Sequence, residues 1–215
     1  MPPELTLYED VLASGAGVSL PGRPRMMLVM HGSITIADRL LRDDEAWSGE
    51  AAITFKAGPG GAAIWRWELT DGNAGGAATG SGVGSRQKLS ARLDTLPKGA
   101  LILRGDSVAF PPGGCAYLHR HQGPGIRCLV EGGFRIDSAG HSTSYAPGGA
   151  WYENGPEPVF AQAADRPTRF VRVMLLPRSH LGKSSVEYLR EEDKAKPKSQ
   201  TYKIYVDMPI AFVGS

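Results

Sequence analysis

Between residues 101 and 176 the chain meets a turn signal about every ten residues, and no other feature constrains the fold as much. Pro111-Pro112-Gly113-Gly114, Gln122-Gly123-Pro124-Gly125, Gly132-Gly133, the tip at residues 138–141 and Gly155-Pro156-Glu157-Pro158 punctuate it. The runs between them, at 101–110, 115–121, 126–130, 134–137, 144–152, 159–163 and 170–176, are short and read as strands. Gly and Pro mark turns for different reasons, one reaching positive φ freely and the other presetting φ. Short strands at this spacing predict an all-β barrel or sandwich. The 28 Gly and 16 Pro are spread along the chain and separated by apolar runs, which argues against disorder.

The flanks are less regular. Residues 34–43 read equally as a strand or a short helix. Residues 51–56 alternate like a strand, Ala57-Gly58-Pro59-Gly60-Gly61 predicts a turn, and residues 62–69 predict a second strand. Residues 71–84, rich in Gly, Ala, Thr and Ser, predict a loop. Past Pro177 the chain is charged, then Lys/Pro-rich at 194–198, and alternates again at 201–206, which predicts an edge strand laid on the barrel. The expected organisation is an N-terminal extension at 1–48, a barrel at 49–178 with its core motifs at 106–176, and a C-terminal tail at 179–215. A Gly-Gly pair precedes both Trp65-Arg66-Trp67 and His119-Arg120-His121, an echo that suggests a partial internal copy of one hairpin.

A net charge of +2, with no basic stripe interleaved with aromatics, points away from nucleic acid and membrane partners. The first twelve residues lack a basic, then apolar, leader pattern, and the run at 26–30 is far too short to span a bilayer. A soluble, cytoplasmic protein is the expectation. Cys115 and Cys128 then read as free thiols, and without a second cysteine pair they cannot form a zinc knuckle. No dinucleotide-binding glycine motif after a strand, P-loop or serine-nucleophile elbow is present.

His119 and His121 are two apart in a strand, so both imidazoles face one side. Such a pair can bind a transition metal or act in acid–base chemistry. By the same alternation Glu153 shares a face with Trp151, and Arg127 shares one with Gly125. An inward Arg127 needs a partner. It either pairs with Glu153 or Glu131, or clamps a substrate anion through its fork geometry. Tyr117 and Trp151 read as cavity walls or as core, and Gln122 sits at the turn after the histidines.

Gly113, five residues, His119-x-His121 and then Gly132 resemble the first motif of the cupin superfamily, in which a Glu follows the two histidines. That Glu position falls on Gly125 or Ile126. Pro147-Gly148-Gly149 resembles the start of the second motif, whose histidine position falls on Val159. The chain is similar to a group of single-barrel cupins sharing H-x-H, a G-P-G-I-R-C-L segment and W-[YF]-E-x-G-P-x-P-V.

The resemblance implies a cupin barrel of jelly-roll type, commonly paired as a homodimer. It implies an enzyme of dioxygenase, isomerase or lyase character acting on a small, anionic organic molecule. The alternative is a non-catalytic small-molecule-binding or sensor cupin. A divalent metal (Fe, Mn, Ni or Zn) would be held by His119 and His121, with Glu153 as substitute ligand or general base. Arg127 would clamp the anion, and Tyr117, Trp151 and Gln122 would line the ligand. With two of the usual four metal ligands missing, three arrangements stay open: a metal completed by Glu153, a metal held weakly with water and substrate, or a metal-free pair of histidines.

Overall fold

The computed structural model describes residues 2–72 and 75–214, divided into two compact units, residues 1–94 and residues 95–215. The first comprises β1 (Glu4–Leu12), β2 (Gly17–Leu20), β3 (Arg25–Ile36), β4 (Arg39–Arg42), β5 (Ala46–Gly49), β6 (Ile53–Thr70) and β7 (Val83–Arg92). They form one antiparallel sheet in the order β4-β3-β6-β1-β7, with β2 on β6 and β5 on β3.

Three expectations change here. Residues 34–43 are a hairpin, turned by Ala37 and Asp38 at φ 47° and 62°, the paired positive angles of a tight hairpin turn. The predicted turn at Ala57–Gly61 is instead part of the long β6. Its pairing with β3 jumps from Ile34↔Ala57 to Gly32↔Ala62, so Gly58–Gly61 bulge opposite Ser33 without reversing the chain. Gly61, at φ +76°, has the Leu12 carbonyl where a side chain would begin. The Gly-Gly pair of the internal echo therefore lies in a bulge here and in a turn in the second unit. Finally, β6 pairs with both β1 and β3, so the expected boundary at 48/49 moves to 94/95. Of the predicted loop at 71–84, residues 73 and 74 lie outside the described residues, and β7 begins at Val83.

This unit buries four charges beside its apolar core. Arg66 Nε lies 2.7 Å from Asp10 Oδ2 and Arg66 Nη1 2.9 Å from Glu68 Oε2, while Arg25 Nε lies 2.9 Å from Glu68 Oε1. Two guanidinium groups against two carboxylates leave no net charge buried, the condition on which such groups are tolerated inside.

The second unit comprises β8 (Gly99–Phe110), β9 (Cys115–His121), β10 (Gly125–Glu131), β11 (Phe134–Ser138), β12 (His141–Tyr145), β13 (Ala150–Glu153), β14 (Val159–Ala163), β15 (Thr168–Pro177), β16 (Val186–Tyr188), the short α1 (Glu191–Ala195) and β17 (Thr201–Gly214). Its two five-stranded antiparallel sheets run β13-β10-β15-β8-β17 and β12-β11-β14-β9-β16. The tail supplies an edge strand to each, β17 against β8 and β16 against β9.

Apolar side chains of both sheets, including Phe110, Phe134, Trp151, Val159 and Phe170, form one buried cluster, and Ile102, Met174 and Leu176 form another. Both sheets also contribute buried charged and polar side chains that the apolar clusters do not include. Among the described residues no helix is long and apolar enough to cross a membrane.

Candidate functional site

Five strands bring the polar residues together. β9 carries His119 and His121, β10 Arg127, β13 Glu153, β15 Arg172 and β8 Asp106. The first five of these side chains line one small internal void. Register explains the meeting. Across one sheet Trp151, Arg127, Arg172 and Asp106 lie side by side on successive strands. One step along, Glu153 stands opposite Gly125, while across the other sheet Val159 stands opposite His119.

The position where the family motif has its Glu is thus faced across the strand pair by the carboxylate this chain does have. Gly125 itself has no room for a side chain, because a Cβ there would run into the Val173 carbonyl and Met174. Gly125→Ala is expected to cost about 1–3 kcal/mol by overpacking, read as a lowered urea midpoint. An unchanged midpoint would show that this close approach is loose.

His119 Nδ1 lies 2.7 Å from the Tyr117 carbonyl, to which it can only donate, so its Nε2 carries the lone pair. His121 Nε2 lies 3.3 Å from that atom and must be the donor. His121 Nδ1 is then a bare acceptor, and it is buried without a partner. His121 Nε2 also lies 3.3 Å from Glu153 Oε2, and Arg127 Nη2 lies 2.9 Å from the same oxygen. Trp151 Nε1 donates to the other carboxylate oxygen at 2.8 Å. Arg127 Nη1 donates to the Gly125 carbonyl at 2.6 Å.

Charge and burial set the protonation states. Burial pushes both imidazoles down, His121 to about 3, with Glu153 opposing the shift in each. Burial alone would raise Glu153, but the Arg127 charge, helped by His121 and Trp151, holds it well below the usual carboxylate range. Burial lowers Arg127 to about 10 against the pull of Glu153. Near neutral pH the cluster is two neutral imidazoles beside a carboxylate–guanidinium pair.

Several expected residues fall elsewhere. Tyr117 does not face the void. The pairing of β14 with β9 slips between Val159↔His119 and Ala161↔Ala116, and this bulge reverses the alternation, so Ala116 lines the void in its place. Tyr117 instead lies beneath the ammonium groups of Lys196 and Lys198. Gln122 donates to Glu187 at 2.9 Å, beside the Arg120–Glu187 ion pair, and is absent from the void. Trp151, by contrast, is both core and cavity wall: it stacks on Tyr145 at 4.7 Å, donates to Glu153 and lines a cavity of about 260 Å³ with that carboxylate. Arg127 takes the pairing alternative with Glu153, so its guanidinium is engaged before any ligand arrives.

Sequence reasoning missed Asp106 and Arg172, which are bound two-fold at 2.7 and 3.2 Å. The signal was a charge inside an otherwise apolar strand run, as in Phe170-Val171-Arg172-Val173.

A resident divalent metal does not fit this set. Coordination by both Nε2 atoms would move the His121 proton to Nδ1, a buried atom with no acceptor, whereas metal-bound imidazoles normally donate that second N–H. The one carboxylate is already neutralised by Arg127. Among the described residues no group of three or more His, Cys, Asp and Glu side chains is placed to hold a metal ion. His119, His121 and Glu153 do meet, as the metal reading of them requires, but here as an internally paired cluster.

No family profile and no curated protein matches the chain. Solved structures do. A deletion mutant of Bacillus subtilis oxalate decarboxylase matches with TM-score 0.63 and 13% identity over 89% of this chain and 73% of that one. A structure of oxalate decarboxylase concerned with its substrate binding mode matches with TM-score 0.63 and 13% identity over 86% and 71%. A Bacillus subtilis oxalate decarboxylase studied for its Mn(II) centres matches with TM-score 0.61 and 12% identity over 92% and 81%. At such identity the likeness is one of fold.

Proposed function

From the premise that the chain has the cupin fold, we propose that its buried His119–His121–Glu153 cluster carries out proton transfer on a small organic anion. The observation that carries this reading is the fixed tautomer of His119. Its Nδ1–H is held by the Tyr117 carbonyl, which leaves the lone pair on Nε2, beside His121 Nε2, in a ring that lines the void. Burial keeps the ring neutral, and a neutral imidazole with a fixed lone pair is a general base.

In this mechanism His119 Nε2 accepts a proton from bound substrate. For that lone pair to be free, the His121 Nε2–H turns from His119 Nε2 to Glu153 Oε2, which also lies 3.3 Å from it, and the imidazolium formed on His119 is stabilised by the Glu153 charge. Arg127 and Trp151 hold Glu153 in place and ionised, and act as positioning residues. The structural neighbours are named for oxalate, a small dianion, which supports a small organic acid as substrate class.

The reading is tested by incubating the protein in D2O with a panel of small carboxylic acids and following carbon-bound hydrogen by NMR. Exchange into one acid is expected, persisting in EDTA and reduced at least a hundredfold in His119→Ala, as for loss of a general base. Exchange that vanished with EDTA and returned with Mn(II) would overturn the metal-free reading.

One observation favours a second reading, a binding or sensor cupin. Arg127 already neutralises Glu153 and Trp151 already donates to it, so the one carboxylate of the site is engaged without a ligand. Saturable acid binding with no exchange or turnover would select it.

A further inference from the structure

We infer that the second unit carries a ligand vestibule, built largely by its C-terminal segment, that selects a ring-bearing carboxylic acid with a hydroxyl donor. This rests on the proposed reading of the buried cluster and names the class of ligand it would receive. A cavity of about 390 Å³ is lined by Arg104, Asp106 and Arg172 of β8 and β15. Val186 and Tyr188 of β16, Gln200, and Tyr202 of β17 also line it. Arg172, Val186, Gln200 and Tyr202 also bound the void that touches His119, His121 and Glu153, so the cavity leads to the cluster.

Three features define what would fit. The first is charge. Arg104 is paired with Asp207 and Arg172 with Asp106, so Lys183 and Lys198 are the excess charge, which favours an anion. A second cavity, of about 260 Å³, is lined by Glu153 itself and presents Glu153 and Glu157 with no Lys or Arg. An anion is therefore directed to the former.

The second feature is shape and polarity. Tyr188, Tyr202 and Ile204 offer apolar walls, and Tyr202 and Ile204 are 48% and 58% exposed, poised to be covered. Rings stack on such walls.

The third is an unmet acceptor. Gln200 is only 8% exposed, and its Nε2 donates to the hydroxyls of Tyr188 at 2.9 Å and Tyr202 at 3.2 Å. Its Oε1 is buried with no partner. A buried acceptor lacking a donor is costly, and a ligand hydroxyl would satisfy it.

The test is titration calorimetry on the full chain with four probes. 4-Hydroxybenzoate is expected to bind saturably. Benzoate and 4-methoxybenzoate lack the donor, and 4-hydroxybenzyl alcohol lacks the charge; each is expected to bind at least ~10-fold more weakly, the loss of one polar contact. Gln200→Leu should erase the preference for 4-hydroxybenzoate over benzoate while leaving benzoate affinity within about twofold. Gln200→Met serves if that variant melts early. No saturable binding by folded wild-type protein, or a preference unchanged in the folded Gln200 variants, would overturn the inference. If 4-hydroxybenzoate binds but no acid exchanges hydrogen, the vestibule stands and the acid–base reading falls. If some other acid exchanges and 4-hydroxybenzoate does not bind, the opposite holds.

Discussion

Arg127→Met is expected to destabilise the fold by about 3–5 kcal/mol, the loss seen when one member of a buried ion pair is removed. The substitution keeps a side chain of similar length but leaves the Glu153 carboxylate buried, 2.9 Å from where its counter-charge stood. The remaining contacts, from Trp151 Nε1 and His121 Nε2, are neutral and cannot replace a charge. Arg127→Met/Glu153→Gln removes both charges together and should recover most of the loss, since the pair's own attraction is largely offset by desolvation. Urea denaturation of the two single variants and the double variant closes the cycle. A single-variant loss below about 1 kcal/mol would mean that the pair is effectively solvated, contrary to the 1% exposure of the Arg127 side chain.

Acid should unfold the protein earlier than carboxylate protonation alone would require. His121 titrates near 6.5 when unfolded and near 3 when folded, because burial disfavours its charged form. Its folded value is the lower one, so between those two pH values the unfolded chain binds more protons. Stability is therefore lost as pH falls through this window, by about 1.4 kcal/mol per pH unit at most. His119 is shifted in the same direction for the same reason. Glu153, also held low, adds its own loss once pH falls below 4.5, the ordinary value for the unfolded chain.

Urea midpoints measured from pH 7 to 4 should thus decline from about pH 6.5, and the decline should be shallower in His121→Phe. A flat profile between pH 6 and pH 5 would mean that the imidazoles are hydrated and titrate normally. The same downward shifts bear on function, since they favour the neutral form of His119 and His121, the form a base must have.

Much of the site was legible because it depends on alternation. His119 with His121, and Trp151 with Glu153, share faces as their two-residue spacing demands. The substitutions at Gly125 and Val159 were also legible by counting along the motifs, and the registers Gly125↔Glu153 and Val159↔His119 give those positions physical meaning. Alternation failed at Tyr117, where one bulge reversed the phase, and nothing in Cys115-Ala116-Tyr117-Leu118 announces that bulge. Composition failed at Gly58-Pro59-Gly60-Gly61, which reads as a turn but lies within a strand paired on both sides. Turn-forming residues permit unusual backbone without specifying whether the chain reverses, and the neighbouring strands decide that.

The sequence by itself determined the all-β class, the rhythm of short strands and the pairing of His119 with His121 on one face. Each follows from local rules of turn chemistry and two-residue periodicity. Which charges meet was decided only by tertiary structure. Asp106 and Arg172 are 66 residues apart, and only the strand order that makes β8 and β15 neighbours joins them. The same holds for Arg127 and Glu153 across β10 and β13, and for Gln200, held by tyrosines of β16 and β17. Strand order and register are set by burial summed over the whole sheet, which no local stretch of residues encodes.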